Sequence, residues 1–150
     1  MIRVVIDTNN LVSGTIAKRG KSFELLRAWR DGRFELVTSQ ALIAEFVEVM
    51  DRPRIQEKYH IEADEVAEMV ALVLERAILV AEPLQVSVVT ADPKDDMFVA
   101  CALSGGAKYI VSGNHHLLDV KRHKGIRLLT VARFLRLLAR VERFVAAREK

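Results

Sequence analysis

The chain has one cysteine, three prolines and few aromatic residues, and each scarcity excludes something. With Cys101 alone there can be no internal disulfide, and its apolar surroundings, Phe98-Val99-Ala100-Cys101-Ala102-Leu103, predict a buried thiol that packs as a small hydrophobe. Aromatics make up 6% and fall mostly at core spacing, so stacking platforms for nucleic-acid bases are not supported. No apolar run is long enough to cross a bilayer, and Met1-Ile2-Arg3-Val4-Val5-Ile6-Asp7 has neither the apolar core nor the cleavage site of a secretory signal. A cytoplasmic protein with no membrane partner is expected. Neither charge sign dominates: 23 basic and 20 acidic residues leave +3, which keeps nucleic acid open as a partner without pointing to it. What is abundant is apolar surface, 51% of 150 residues, enough for one sizeable core. The expected organisation is one domain over residues 1–140, with 141–150 a helical extension or tail.

The α and β signals alternate. Val4-Val5-Ile6 is β-branched and apolar, as a buried parallel strand requires, and it ends abruptly at Asp7-Thr8-Asn9-Asn10. Phe23, Leu26 and Trp29 recur at helical spacing up to Asp31-Gly32. Phe34–Val37 predicts a second strand, and Ser39 an N-cap for a helix with Leu42, Phe46, Val49 and Met50 on its apolar face, ended or broken at Pro53. A helix over 63–76 and strands at 78–80, 109–111 and about 127–129 follow, with a helix from about Asp95 to Gly105-Gly106 and a closing helix capped by Thr130. Ala91-Asp92-Pro93 reads as an extended or turn element. The fold class is α/β: a central parallel sheet of about five strands with helices on both faces.

Ligands in open parallel sheets collect at the carboxyl ends of the strands, beside the point where strand order reverses. If the first and fourth strands are neighbours, Asp7 and Asn114 emerge on one edge, and the helix start carrying Asp95 and Asp96 opens towards it. Glu45 can join from the helix capped by Ser39. Such a set is oxygen-rich and thiolate-free, which suits Mg²⁺ or Mn²⁺, and crowded carboxylates call for a cation. Divalent ions so held hydrolyse phosphodiesters by activating water. Each residue also has a plainer reading. Asp7 fits a helix N-cap, Glu45 with Glu48 a solvated helix face, and Asp92, Asp95 and Asp96 favourable first-turn charges. His115 and His116 follow Asn114 directly, but an oxygen site does not need imidazole.

Four blocks in order carry a family resemblance: Val5-Ile6-Asp7-Thr8-Asn9 with Leu11-Val12-Ser13-Gly14; Ser39-Gln40-Ala41-Leu42-Ile43-Ala44-Glu45-Phe46; Asp92-Pro93-Lys94-Asp95-Asp96-Met97-Phe98-Val99-Ala100-Cys101-Ala102; and Ala107-Lys108-Tyr109-Ile110-Val111-Ser112-Gly113-Asn114. Pro53-Arg54 and Lys58-Tyr59 also agree. From Val4 to about Leu138 the chain resembles the PIN-domain nucleases, specifically the small prokaryotic group described as toxins of toxin–antitoxin pairs. The resemblance implies a single PIN-like domain, Mg²⁺- or Mn²⁺-dependent endoribonuclease activity and an antitoxin partner. It places the acidic site on Asp7, Glu45 and Asp96, with Asn114 as a further metal ligand. Thr8, Asn9, Ser39, Asp92, Asp95 and Ser112 are supporting residues. Asn114 stands where many PIN domains carry a fourth aspartate, so a second metal should bind more weakly and a one-metal or substrate-completed site becomes plausible.

For RNA, the basic loop containing Lys18, Arg19 and Lys21 should overhang the active edge, with Lys121, Arg122 and Lys124 as a second patch. Arg133, Arg136, Arg140 and Arg143 form one stripe if the last helix persists, although Glu142 and Glu149 dilute it. Two other readings stay open: a catalytically weak PIN-like module that binds RNA or an antitoxin, and a receiver-like phospho-switch. The second is disfavoured by the lack of an acidic pair after the first strand and of a lysine closing the last. A homodimer is also left open.

Overall fold

The structure, a computed structural model, describes residues 1–81, 86, 88 and 92–149. Along the chain run β1 (Arg3–Ile6), α1 (Thr8–Ile16), α2 (Lys21–Arg30), β2 (Glu35–Ser39), α3 (Gln40–Met50), α4 (Pro53–Tyr59), α5 (Ala63–Arg76) and β3 (Ile78–Val80). After these come a 3₁₀ turn (Pro93–Asp95), α6 (Asp96–Gly105), β4 (Tyr109–Val111), α7 (His115–Leu118), β5 (Arg122–His123), β6 (Ile126–Leu129) and α8 (Val131–Arg148). Ala91, part of the turn expected at 91–93, lies outside the described residues.

Five strands are parallel in the order β3-β2-β1-β4-β6, and β5 closes the β6 edge antiparallel. The sixth strand lies where the sequence predicts only a basic loop. Two residues are too few for a period-two signal, and they pair because Gly125, at φ +84°, makes the reversal back to Ile126. Two other short elements, α4 and α7, were also not expected as helices. Pro53, anticipated as a break, stands at the first turn of α4, where its missing N–H costs nothing.

Strand alternation divides the core between the two faces of the sheet. Val4, Ile6, Leu36, Val111 and Leu129 pack with Leu25, Leu26, Phe46, Met69 and Phe134 of α2, α3, α5 and α8. Val5, Val37, Ile110 and Leu128 point the other way, onto Phe98, Cys101 and Leu117 of α6 and α7. Cys101 is fully buried, and burial pushes its thiol up to about 12, so it is an inert hydrophobe.

The expected helix signals are used. Ser39 Oγ accepts the Leu42 N–H at 3.3 Å, Thr130 Oγ1 accepts that of Arg133 at 3.2 Å, and Gly106 ends α6 at φ +68°. The closing helix runs unbroken past residue 140 to Arg148. Its Phe134 is fully buried and meets Phe34 edge-on at 5.3 Å, a burial that contributes roughly 1.5–3 kcal/mol. Farther along, Glu142 takes a two-pronged bond from Arg33 at 2.6 and 2.9 Å. Both side chains are about 40% exposed, so the pair orients the helix more than it stabilises it. Among the described residues, no helix is long and apolar enough to cross a membrane.

The α1–α2 crossing has no spare room. A Cβ on Gly14 would lie 2.5 Å from the Ser22 carbonyl oxygen and 2.7 Å from Leu26 Cγ. Gly14→Ala is therefore expected to destabilise the fold by about 1–3 kcal/mol, although alanine is the better helix former. A lower urea midpoint at unchanged slope is the result to look for.

Candidate active site

The strand order reverses between β1 and β4, which pair directly, Ile6 opposite Val111. Their carboxyl ends deliver Asp7 and Ser112-Gly113-Asn114 to one crevice. The 3₁₀ turn before α6 brings Asp95 to the same place.

Asp7 is 3% exposed and holds two elements together. One carboxylate oxygen accepts the Asn10 N–H at 2.8 Å and so caps α1, while the other accepts the Ser112 hydroxyl in a short bond and the Gly113 N–H at 3.3 Å. The plain reading of Asp7 as an N-cap is thus correct for one oxygen only. Burial raises its pKa above the ordinary value, and the bonds from Ser112, Asn10 and Gly113 offset this in part. Beside it, Asp95 is 8% exposed and receives the Asn114 side-chain N–H at 2.9 Å. Its pKa is also raised, first by burial, then by the charge on Asp92, with a smaller push from Asp7; Asn114 and His116 oppose the rise. Asn114 is fixed at both ends of its amide, since its Oδ1 caps α7 through the His116 N–H at 2.9 Å.

The other expected residues are spread around this group. Asp96 is 9% exposed at the start of α6, and its Oδ1 accepts the Val88 N–H at 2.9 Å. Glu45 is half-buried on α3, one and a half turns beyond the buried Ser39 cap, and among the described residues it has no hydrogen bond or ion pair. Asp92 closes a local turn with the Lys94 N–H at 3.0 Å. Thr8 is buried and Asn9 exposed in the first turn of α1. Lys18 and Arg19 are exposed in the α1–α2 loop, while Lys21 opens α2 and pairs with Glu24 at 3.6 Å. The next residue, Ser22, donates to Asn10 Oδ1 at 3.2 Å, which sets the start of α2 beside the Asp7 cap.

The structure therefore brings Asp7, Ser112, Asn114 and Asp95 into one connected group. Among the described residues, no three acidic, histidine or cysteine side chains stand close enough to share one ion. The effect of His116 on Asp95 and the bond from the Gly113 N–H were not anticipated. The first depends on the turn of α7, and the second is backbone, which leaves no side-chain signature.

The donors suit a hard divalent cation: Asp7 and Asp95 offer carboxylate oxygens, and no thiolate is present. Among the described residues, no lysine or arginine forms an ion pair with either. Two buried carboxylates, of which Asp7 helps to raise the pKa of Asp95, are the arrangement a cation would relieve.

The family model for the PIN domain matches residues 3–116. The chain belongs to the PIN domain family. Among solved structures, this PIN domain is similar to PAE2754 from Pyrobaculum aerophilum, with TM-score 0.56 and 18% identity over 92% of this chain and 90% of that one. It is also similar to VapBC2 from Rickettsia felis, solved bound to a DNA fragment from their promoter, with TM-score 0.53 and 13% identity over 85% and 97%. At these identities the likeness is one of fold. No curated protein matches the chain.

A carboxyl with a raised folded-state pKa binds its proton more tightly in the native than in the unfolded state. The metal-free protein should therefore lose stability as pH rises from the ordinary carboxylate value through the raised values of Asp7 and Asp95. Asp7→Asn should flatten this dependence above the ordinary carboxylate value, measured by urea unfolding in EDTA. An unaltered slope would mean that Asp7 is not strained by burial.

Proposed function

We propose that this PIN domain is a divalent-metal-dependent endoribonuclease and the toxin of a toxin–antitoxin pair. The observation that carries the reading is the buried Asp7–Asp95 pair, joined through Asn114 and Ser112 at the β1–β4 switch point. Family membership supports it, since PIN domains are generally nucleases. The likeness in fold to VapBC2 from Rickettsia felis supports the antitoxin.

Mg²⁺ or Mn²⁺ would be held by Asp7, Asn114 and the acids at the start of α6, with Glu45 completing the acidic set from α3. When bound, the cation supplies Lewis acidity towards the phosphodiester and towards water. The chain's own contribution is orientation. Ser112 and the Gly113 N–H hold one Asp7 oxygen in place, and the Asn10 N–H turns the other along the axis of α1. The Asn114 amide fixes the Asp95 carboxylate while remaining neutral, so the crevice carries less negative charge than one with aspartate there. Glu45, half-buried and unbonded among the described residues, is suited to accept a proton from the attacking water.

The purified protein should cleave single-stranded RNA with Mn²⁺ or Mg²⁺ and stop in EDTA. Ser112→Ala should cost about 10–100-fold, as loss of an outer-shell partner does, and Asp7→Asn or Asp96→Asn should cost more. Wild-type rates in the Asp variants, or cleavage that survives EDTA, would overturn the assignment.

One observation favours a second reading. Among the described residues, no third acid stands close enough to Asp7 and Asp95 to share one ion, which suits a catalytically weak module that binds RNA or an antitoxin. Calorimetric titration with Mn²⁺ separates the two, since RNA affinity without divalent binding belongs to the second alone.

A further inference from the structure

α8 carries Arg133, Arg136, Arg140 and Arg143 on one exposed stripe, and together with Arg127 of β6 they line a groove of about 400 Å³. A second groove shares Arg127 and Arg133 and continues to Lys121 and Arg122 at the sheet edge. No carboxylate lines either groove among the described residues, and none of the five arginines has an ion pair there. Glu142, which sequence position would mix into the stripe, is turned away and held by Arg33.

Stability does not account for this arrangement. Like charges three and four residues apart on a helix repel, and Arg133 lies in the first turn, where the helix dipole disfavours a cation. Nor does overall composition, since basic and acidic residues nearly balance at 23 to 20.

Position supplies the link to the crevice. The Leu129 carbonyl accepts the Ser112 N–H at 2.9 Å, so the Thr130 cap and Arg133 stand one strand away from the residues that hold Asp7. From Arg133 the stripe descends α8 for about 15 Å. The geometry points to a track for the phosphodiester backbone of single-stranded RNA, entered from the Asp7 crevice and formed by Arg127, Arg133, Arg136, Arg140 and Arg143. The choice of RNA rests on the nuclease reading. A row of guanidiniums matches a chain of regularly spaced phosphates, and the lack of aromatics in the groove makes the contact one with backbone and not with bases.

The test compares wild type, Arg136→Ala/Arg140→Ala/Arg143→Ala and the same triple replacement by lysine, using fluorescein-labelled single-stranded RNA in EDTA over a salt series. All three sites are exposed, and circular dichroism checks the fold. The alanine variant should bind roughly tenfold more weakly, and its log–log salt slope should be shallower by about 2, one increment of about 0.7 per lost phosphate contact. The lysine variant should keep the slope. With Mn²⁺, the alanine variant should show a raised KM at unchanged kcat. Unchanged affinity and slope in a folded alanine variant overturns the track, as does a groove that binds polyglutamate and not RNA. If the wild type binds RNA through these arginines but cuts nothing, the track stands and the nuclease reading falls. Normal cutting with unchanged RNA affinity in the alanine variant leaves the reverse.

Discussion

A carboxylate taken out of water at the end of a buried strand must have its oxygens satisfied, and Asp7 does this by joining elements far apart in sequence. One oxygen closes the first turn of α1, and the other closes the loop after β4, more than a hundred residues away. Because β1 and β4 are neighbours in the parallel sheet, these bonds need no irregular backbone. What remains is the cost of a buried charge, visible in the raised pKa, and Asp7 in turn adds to the raised pKa of Asp95. The fold thus keeps an electrostatic strain at the switch point that a cation can relieve, while the packing of Val4, Ile6 and Val111 beneath it holds the geometry.

Acidic and basic groups are sorted by element. The acids stand at the ends of β1 and before α6, buried or nearly so. The arginines stand exposed along α8 and half-buried on β6, without acidic partners among the described residues. The bond from Ser112 to Leu129 joins the two regions, so a polyanion bound along α8 could meet the acidic crevice without any rearrangement of the sheet. The near-neutral total conceals this separation, because charges cancel in a sum and not across a surface.

Much of the architecture was legible in the sequence. The five apolar signals at 4–6, 34–37, 78–80, 109–111 and 127–129 became β1, β2, β3, β4 and β6, and the caps at Ser39 and Thr130 start α3 and α8. Short elements escaped because α4, α7 and β5 hold seven, four and two residues, too few for a period to register. Within the site, Asp7 and Asn114 were readable because an abrupt polar residue after an apolar strand marks the crevice. The roles of Asp95 and Asp96 were not. They are adjacent, and the change from 3₁₀ turn to α-helix between them decides that Asp95 takes the Asn114 amide while Asp96 takes the Val88 N–H.

Local pattern in the sequence therefore determined the α/β class, the strand ends and the residue types offered to the crevice, since apolar periodicity and capping chemistry act over a few residues. The tertiary structure decided which oxygens meet. It tied Asp7 to Ser112, set Asn114 against Asp95, and turned Glu142 onto Arg33 so that the arginine stripe was left undiluted. Those outcomes depend on angles of an ångström's consequence, which arise only when two distant segments pack against the same sheet and which no spacing along a single chain encodes.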